Sequence, residues 1–273
     1  MTTTTPKLTR VRTDLLLFAL ITTLISGSLW LLLAWQGGNV REGAALWVFG
    51  IATSGPSLAA LILFLFRTRG SPERTARPRL GSPWLWAPAA LALGAAPVVI
   101  ANLVLLPQEF GARLAEAPAV VAGFGGPLLF IVLFMIAGPI AEEFGWRGFA
   151  QPRLRRSLGI IATSVVLGIA WAIWHLPLFF LPGTGQATMG LFTVDGLLFC
   201  LSLIPLSLVY LFVSERLGGG VWAAILIHFS GNAVGSFFPD ACVPVAVAQL
   251  LITCLLAAAL FFSWHPEARR ARG

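Results

Sequence analysis

The chain has 273 residues, of which 58% are hydrophobic and only 11% are charged. A soluble domain carries about 25% charged residues, so this composition excludes an ordinary soluble globular protein. The net charge is +7, but the arginines cluster between hydrophobic runs, where membrane topology explains them. No nucleic-acid partner is therefore expected.

Eight apolar runs follow one another along the chain, each close to the roughly 20 residues that a membrane-spanning helix needs. They predict an all-α fold, a polytopic integral membrane helical bundle with about eight transmembrane helices. Pro88 and Pro97 in the third run predict a kinked or partly broken helix. The runs comprise residues 15–35, 44–66, 83–106, 120–150, 159–181, 196–213, 221–238 and 241–264.

The loops between the runs differ in their basic charge. Alternate loops and the two tails carry 15 lysines and arginines, whereas the opposite loops carry two. Cytoplasmic loops are enriched in these residues, so both termini are expected in the cytoplasm, at a bacterial plasma membrane. The predicted organisation is a cytoplasmic tail (1–14), one membrane domain (15–264) with its motifs in about 120–238, and a basic cytoplasmic tail (265–273).

Two adjacent carboxylates and an arginine lie at the end of the fourth run. A charge at mid-membrane costs roughly 2.5–3.5 kcal/mol on insertion scales, so such residues need a partner or a function. Glu143 and Arg147 are four residues apart and share a helical face, which predicts an ion pair. Glu142 points about 100° away and is left without this partner. Gly138 and Pro139 upstream are expected to loosen the helix.

Two further runs place polar side chains at membrane depth. His175 in the fifth run follows Trp171 by one helical turn, and His228 in the seventh precedes Asn232 by one turn, so each pair shares a stripe. Taken alone, each histidine is also explained by a hydrogen bond between helices.

These groups together indicate a functional cavity, because ionisable residues within membrane segments are costly. Glu142 with a histidine can hold and deprotonate a water molecule. A histidine with an asparagine can donate hydrogen bonds to a developing oxyanion. These are the parts needed to hydrolyse an amide.

At these residues the chain resembles the CPBP family, which unites type II CAAX prenyl endopeptidases with bacteriocin-processing, Abi-type membrane proteases. The motifs are a double glutamate with an arginine four residues beyond the second, an aromatic residue four before a histidine, and a histidine four before an asparagine. Trp171 departs from the family pattern, in which phenylalanine is usual. The resemblance covers about residues 120 to 238.

The resemblance implies an intramembrane endopeptidase that cleaves a peptide bond near the cytoplasmic membrane face. Glu142 and His175 would activate the attacking water, and His228 and Asn232 would stabilise the oxyanion. Glu143, Arg147 and Trp171 would support the site or bind substrate. The substrate would be a peptide or membrane protein in the lipid bilayer, with either a lipidated C-terminal tail or a bacteriocin-like leader.

A metal-dependent mechanism stays open beside direct catalysis by glutamate and histidine, because both have been described for the family. The H-E-x-x-H motif is absent, yet Glu142, His175 and His228 would supply three ligands to zinc and leave one position open. Direct glutamate and histidine catalysis is the favoured expectation. The motif residues are the same in both cases.

The depths of these residues in their runs disagree. Glu142 and His228 lie about 10 Å from the expected cytoplasmic ends of their helices, whereas His175 lies about 20 Å from its own. For the three to meet, the fifth helix is expected to begin near Arg153 and extend into the cytoplasm.

Two other classes of protein compete with the enzyme hypothesis. A proton- or ion-coupled membrane transporter would use the same groups as a relay. Inverted repeats are typical of such transporters, and none is evident in the chain. A non-catalytic membrane scaffold would retain the fold without needing the complete set of motifs.

Overall fold

The eight apolar runs all form helices in the computed structural model, which describes residues 5–67, 81–239 and 242–270. Within these ranges the secondary structure is helical, with no strand. Six helices are long and apolar enough to cross a membrane, or seven if the bent pair Gly43–Thr53 and Gly55–Arg67 is one span. The shorter apolar helix Gly220–Gly235 completes the set. The predicted polytopic all-α bundle is confirmed, and the chain is a multi-pass integral membrane protein.

We number the apolar segments from one to eight in chain order. The helix Pro107–Gly123 lies between segments three and four, and the short helix Gly185–Met189 lies between segments five and six. The eight segments are Thr5–Gln36, the bent pair named above, Pro83–Leu105, Pro127–Leu154, Ile160–Phe180, Val194–Arg216, Gly220–Gly235 and Val243–Arg270.

The helix break lies in segment two and not in segment three. Segment three is a continuous helix through Pro88 and Pro97, so the expectation of a partly broken helix is wrong, while the kink stays a prediction. Segment two bends by 51° between its two helices. Pro56 has no N–H to donate to the carbonyl of Ala52. The hydroxyl of Ser26 in segment one donates to that carbonyl instead, at 2.7 Å.

Segment four starts later and ends later than the sequence predicts. Residues 120–123 belong to the preceding helix, and Pro127 begins the segment. Gly125 and Gly126 have φ of +88° and +98°, a conformation that interrupts a helix and that glycine adopts without strain. The segment then runs to Leu154, four residues beyond the expected end.

Ion pairs tie several segments together at one side of the bundle. Asp14 of segment one lies 2.9 Å from Arg67 at the end of segment two and 3.5 Å from Arg153 of segment four. Arg155 and Glu215 pair at 3.0 Å on the same side. This is the side expected to face the cytoplasm. Of the basic 67–79 loop only Arg67 is described, and the orientation of the termini stays a prediction.

Small residues bring the backbones of neighbouring segments into contact around the motif region. A Cβ atom added to Gly145 would overlap the backbone of Pro56 in segment two, and one added to Gly94 would overlap the carbonyl of Ile227. Ser57 also donates to the carbonyl of Ile140 at 3.0 Å. Close approach through small residues is a general way to pack membrane helices, and it holds segment four against segment two.

Candidate active site

The two glutamates lie on a short α-helical stretch between two π-helical turns. Ile136–Ile140 and Trp146–Ala150 are π-helical, and Ala141–Gly145 between them is α-helical. Pro139 lies inside the first π turn, where its ring and missing N–H do not fit regular α-helical bonding. The expected loosening at Gly138 and Pro139 therefore takes the form of a π turn. Such turns in α-helices are frequent at functional sites.

Glu143 and Arg147 form the ion pair that their spacing predicts. Their closest atoms are 3.0 Å apart, and both side chains are almost completely buried. Glu143 has a second partner from segment seven, because its Oε1 lies 2.8 Å from Nδ1 of His228. An ionised carboxylate only accepts hydrogen bonds, so Nδ1–H of the imidazole is the donor. Glu143 thus connects the arginine of its own helix to the histidine of another.

Two aromatic rings enclose the guanidinium of Arg147. Its central carbon lies 4.2 Å from the ring centre of Trp171 and 4.1 Å from that of Tyr210. Its Nη2 also donates to the hydroxyl of Ser207 at 3.4 Å. Desolvated contacts of a cation with an aromatic face are favourable, and they hold this buried charge in one place.

Glu142 is buried and is held by the residue that departs from the family pattern. Nε1–H of Trp171 donates to its Oε2 at 2.7 Å. Phenylalanine at this position would have no N–H to offer. The carboxylate also interacts electrostatically with His228, Glu143 and Arg147, so the charged groups of segments four and seven form one cluster.

His175 is oriented by its own helix. Its Nδ1 lies 2.8 Å from the carbonyl oxygen of Trp171, one turn earlier. A carbonyl only accepts, so Nδ1 carries the hydrogen and Nε2 keeps its lone pair. This bond lies within segment five, whereas the bond of His228 to Glu143 joins two segments. The ring of His175 packs edge-on against Trp171, Trp174 and Phe199.

His228 and Asn232 both face Gly138 of segment four, as their shared helical stripe predicts. A Cβ atom on Gly138 would lie 3.2 Å from Nε2 of His228 and 3.4 Å from Nδ2 of Asn232. His228 is buried, while Asn232 is exposed at the surface of the bundle. The two nitrogen atoms therefore lie beside the same point of segment four, one turn before Glu142.

The motif residues meet without the expected extension of segment five. That segment begins at Ile160, so the expectation of a start near Arg153 is wrong. Segment four instead extends to Leu154, which places Glu142 12 residues from its end, and His175 lies 15 residues after the start of segment five. At 1.5 Å per residue these are about 18 and 22 Å, so the depths of Glu142 and His175 agree closely. His228 lies eight residues after the start of segment seven, or about 12 Å from it.

The candidate zinc ligands do not converge on one point. Among the described residues, no group of three histidine, cysteine, aspartate or glutamate side chains is arranged to hold a metal ion. Nδ1 of both motif histidines is occupied by a hydrogen bond, which leaves Nε2 of each ring free, and Trp171 binds only Oε2 of Glu142. Histidines that bind metals commonly donate their other ring N–H in this way, so the choice between zinc and direct catalysis stays a prediction.

Two contributors to the site do not follow from the sequence patterns. Tyr210 is the only tyrosine in the chain, and its place within an apolar run is a signal that could have found it. Ser207 lies in the same run and carries no comparable signal. The sequence also does not reveal that Glu143 bonds His228, because the two are 85 residues apart.

Comparison with known proteins supports the resemblance. Residues 124–234 match the family described as type II CAAX prenyl endopeptidase Rce1-like, and all three motifs lie within this match. A curated relative, CAAX prenyl protease 2 of Methanococcus maripaludis, is 30% identical over 139 residues. The match covers 50% of this chain and 51% of the relative, so the chain spans about half of that protein. The predicted family resemblance is confirmed.

Proposed function

We propose that this chain, whose residues 124–234 match the Rce1-like family, is an intramembrane endopeptidase that cleaves a peptide bond near the cytoplasmic membrane face. One observation carries the proposal: Glu142, His175 and His228 come from three segments, and each is held in a buried cluster by its own hydrogen-bond partner. Such preorganisation is what catalysis of hydrolysis requires.

Glu142 and His175 would activate the attacking water. One hydrogen of the water is bound by the lone pair on Nε2 of His175. The carboxylate of Glu142 takes the other hydrogen as a proton. The water oxygen then bonds to the carbonyl carbon of the peptide. As the carbon–nitrogen bond breaks, Glu142 returns the proton to the leaving amine, so it serves first as base and then as acid.

His228 and Asn232 would stabilise the negative charge that develops on the carbonyl oxygen. Nδ1–H of His228 already donates to Glu143, so a second proton on Nε2 makes the ring a donor at both nitrogens. The charges of Glu142, Glu143, Arg147 and this imidazolium then sum to zero. A buried group of charges is much less costly when it is balanced.

Glu143 and Arg147 would position the site and not contact the reacting atoms. Glu143 orients His228, and Arg147 balances its charge while lying between two aromatic rings. The proposed mechanism uses direct glutamate and histidine catalysis and no step through a metal, and among the described residues no group of three potential ligands is arranged to hold one. Two measurements distinguish direct catalysis from metal-dependent catalysis: elemental analysis of the purified protein, and its activity after chelation.

The substrate would be a peptide or membrane protein that reaches this depth of the bilayer. The relative's name specifies a CAAX prenyl protease, which favours a lipidated C-terminal tail over a bacteriocin-like leader. Both termini of the enzyme would face the cytoplasm at a bacterial plasma membrane, as the 15 to 2 charge distribution predicts.

The test is cleavage of a peptide panel by the purified protein in detergent. The panel contains prenylated and unprenylated C-terminal peptides and leader peptides, with Glu142→Ala as the inactive comparison. We expect the wild type to cleave at least one peptide class and Glu142→Ala to cleave none. Absence of cleavage by the wild type, or equal cleavage by both proteins, would favour the transporter or scaffold alternatives.

Replacing Trp171 with phenylalanine removes the donor to Glu142 and keeps a large aromatic ring. Hydrogen bonds to charged groups contribute about 1.5–3 kcal/mol, so we expect kcat to fall about tenfold or more, with KM little changed. The measurement is steady-state kinetics on the cleaved peptide.

Trp86→Phe is the matched control for this substitution. Its Nε1–H donates to the carbonyl of Gly81 at 3.2 Å, away from Glu142. We expect it to lower the melting temperature slightly and to leave kcat within a factor of two to three. Equal kcat losses in both variants would show that Trp171 acts only through packing.

A further inference from the structure

Gly138 is the point of segment four that both proposed oxyanion donors approach. It is buried in the first π turn, one turn before Glu142. A Cβ atom added there would lie 3.2 Å from Nε2 of His228 and 3.4 Å from Nδ2 of Asn232. The separation from Nε2 of His228 is shorter than an ordinary contact of a carbon atom, and the separation from Nδ2 of Asn232 lies at the lower limit of such contacts. A side chain at this position would therefore push Nε2 of His228 away and crowd Nδ2 of Asn232.

We infer that Gly138 is a positioning residue for the oxyanion site, an inference that rests on the proposed function. The missing side chain leaves a notch beside both nitrogen atoms. An oxyanion hole needs its donors about 2.7–3.1 Å from the oxygen, in a space that no protein atom fills. A methyl group in this notch would displace the donors and narrow the space that the carbonyl oxygen must occupy.

The two proposed oxyanion donors differ in exposure. Gly138, Glu142 and His228 are buried, whereas Asn232 is exposed. Asn232 is therefore the more accessible of the two donors beside Gly138.

Helix stability would favour a different residue at this position. Glycine within a helix is less favourable than alanine, so helix propensity alone would select alanine at position 138. A purely structural role and the proposed role therefore predict different results for Gly138→Ala. The proposed role predicts a fall in kcat while the fold is kept.

Gly148→Ala supplies the matched control on the same segment. Gly148 lies in the second π turn, and a Cβ atom there would meet its nearest neighbours at ordinary distances of 3.7 and 3.8 Å. Gly235→Ala is a second control on segment seven, where a Cβ atom would have nothing within 4 Å.

The experiment compares kcat, KM and melting temperature of these three variants on the peptide that the wild type cleaves. We expect Gly138→Ala to lower kcat about 10- to 100-fold, since loss of one oxyanion donor costs about 100- to 1,000-fold and displacement costs less. KM and the melting temperature should stay close to the wild type. Both controls should retain wild-type kcat.

A double variant tests whether Gly138 acts through the donors. Asn232→Ala removes the amide that the new methyl group would meet, so adding Gly138→Ala should reduce kcat by less than the product of the two single effects. This double variant also serves if Gly138→Ala alone does not fold. Wild-type kcat in Gly138→Ala, or multiplicative effects in the double variant, would overturn the inference.

The proposed function is checked separately in the same assay. If the wild type cleaves and Glu142→Ala does not, the endopeptidase proposal stands whatever Gly138→Ala does. Failure of the inference is then seen only in the Gly138 variants.

Discussion

Glu142→Gln is expected to reduce cleavage by about 100- to 10,000-fold while leaving the melting temperature unchanged. Glutamine has nearly the shape of glutamate, and its carbonyl oxygen still accepts the hydrogen bond from Nε1–H of Trp171. It cannot take a proton from water at neutral pH, and a positioned general base typically contributes a rate factor of this size. The measurement is kcat on the cleaved peptide beside thermal unfolding in detergent.

The unchanged melting temperature of Glu142→Gln distinguishes a catalytic role of Glu142 from a structural one. Arg147 pairs with Glu143 and not with Glu142, so Glu142→Gln leaves this ion pair intact. While His228 carries only its Nδ1 hydrogen, the charges of Glu142, Glu143 and Arg147 sum to −1, and removing the charge of Glu142 leaves a neutral group. Wild-type kcat in Glu142→Gln would contradict the role of Glu142 as base. A fall in activity that tracks a fall in melting temperature would instead indicate a structural role.

Glu143→Gln is expected to lower the free energy of unfolding by about 3–5 kcal/mol, because it leaves Arg147 buried without its counter-charge. Arg147→Gln should have a similar cost, since it strands the carboxylate. Both groups are almost completely buried, with side-chain exposures of 0% and 1%. The measurement is unfolding in detergent by heat or denaturant.

The double variant Glu143→Gln with Arg147→Gln separates stability from catalysis. With both charges removed, neither is left uncompensated, so much of the lost stability should return. His228 would still lack its carboxylate, and we expect kcat to remain about 100-fold below the wild type. Recovery of both stability and kcat would contradict the proposed role of Glu143 in orienting His228.

The ion pair of Arg155 with Glu215 is the exposed control. Its side chains are 25% and 30% exposed, and pairs of this kind contribute about 0–1 kcal/mol. Arg155→Gln should therefore change the unfolding free energy little. A loss of unfolding free energy as large as that for Glu143→Gln would show that burial does not determine how much these ion pairs stabilise the protein.

Local spacing predicted that the two glutamates have different partners. Residues four apart on a helix are neighbours, and residues one apart diverge by about 100°, so the sequence separates Glu143, with its arginine, from Glu142. The structure contains that ion pair, and Glu142 turns to Trp171 instead. The shared stripe of His228 and Asn232 is predictable for the same reason.

Helix boundaries and bends were less accessible from the sequence. Pro88 and Pro97 lie in a helix that continues through them, whereas Pro56 lies where segment two bends. At the bend, Ser26 supplies a hydrogen bond to the carbonyl of Ala52 from another segment. A proline's effect on a helix depends on which neighbour satisfies the freed carbonyl.

The amino-acid sequence by itself determined the membrane class, the roughly eight apolar segments and the three motifs. Each depends on composition or on spacings within one helix. Only the tertiary structure decided that Glu143 bonds His228, that the indole of Trp171 holds Glu142, and that Gly138 faces His228 and Asn232. These contacts join different segments, so they depend on how closely the backbones approach, which small residues such as Gly145 permit and no helical period encodes.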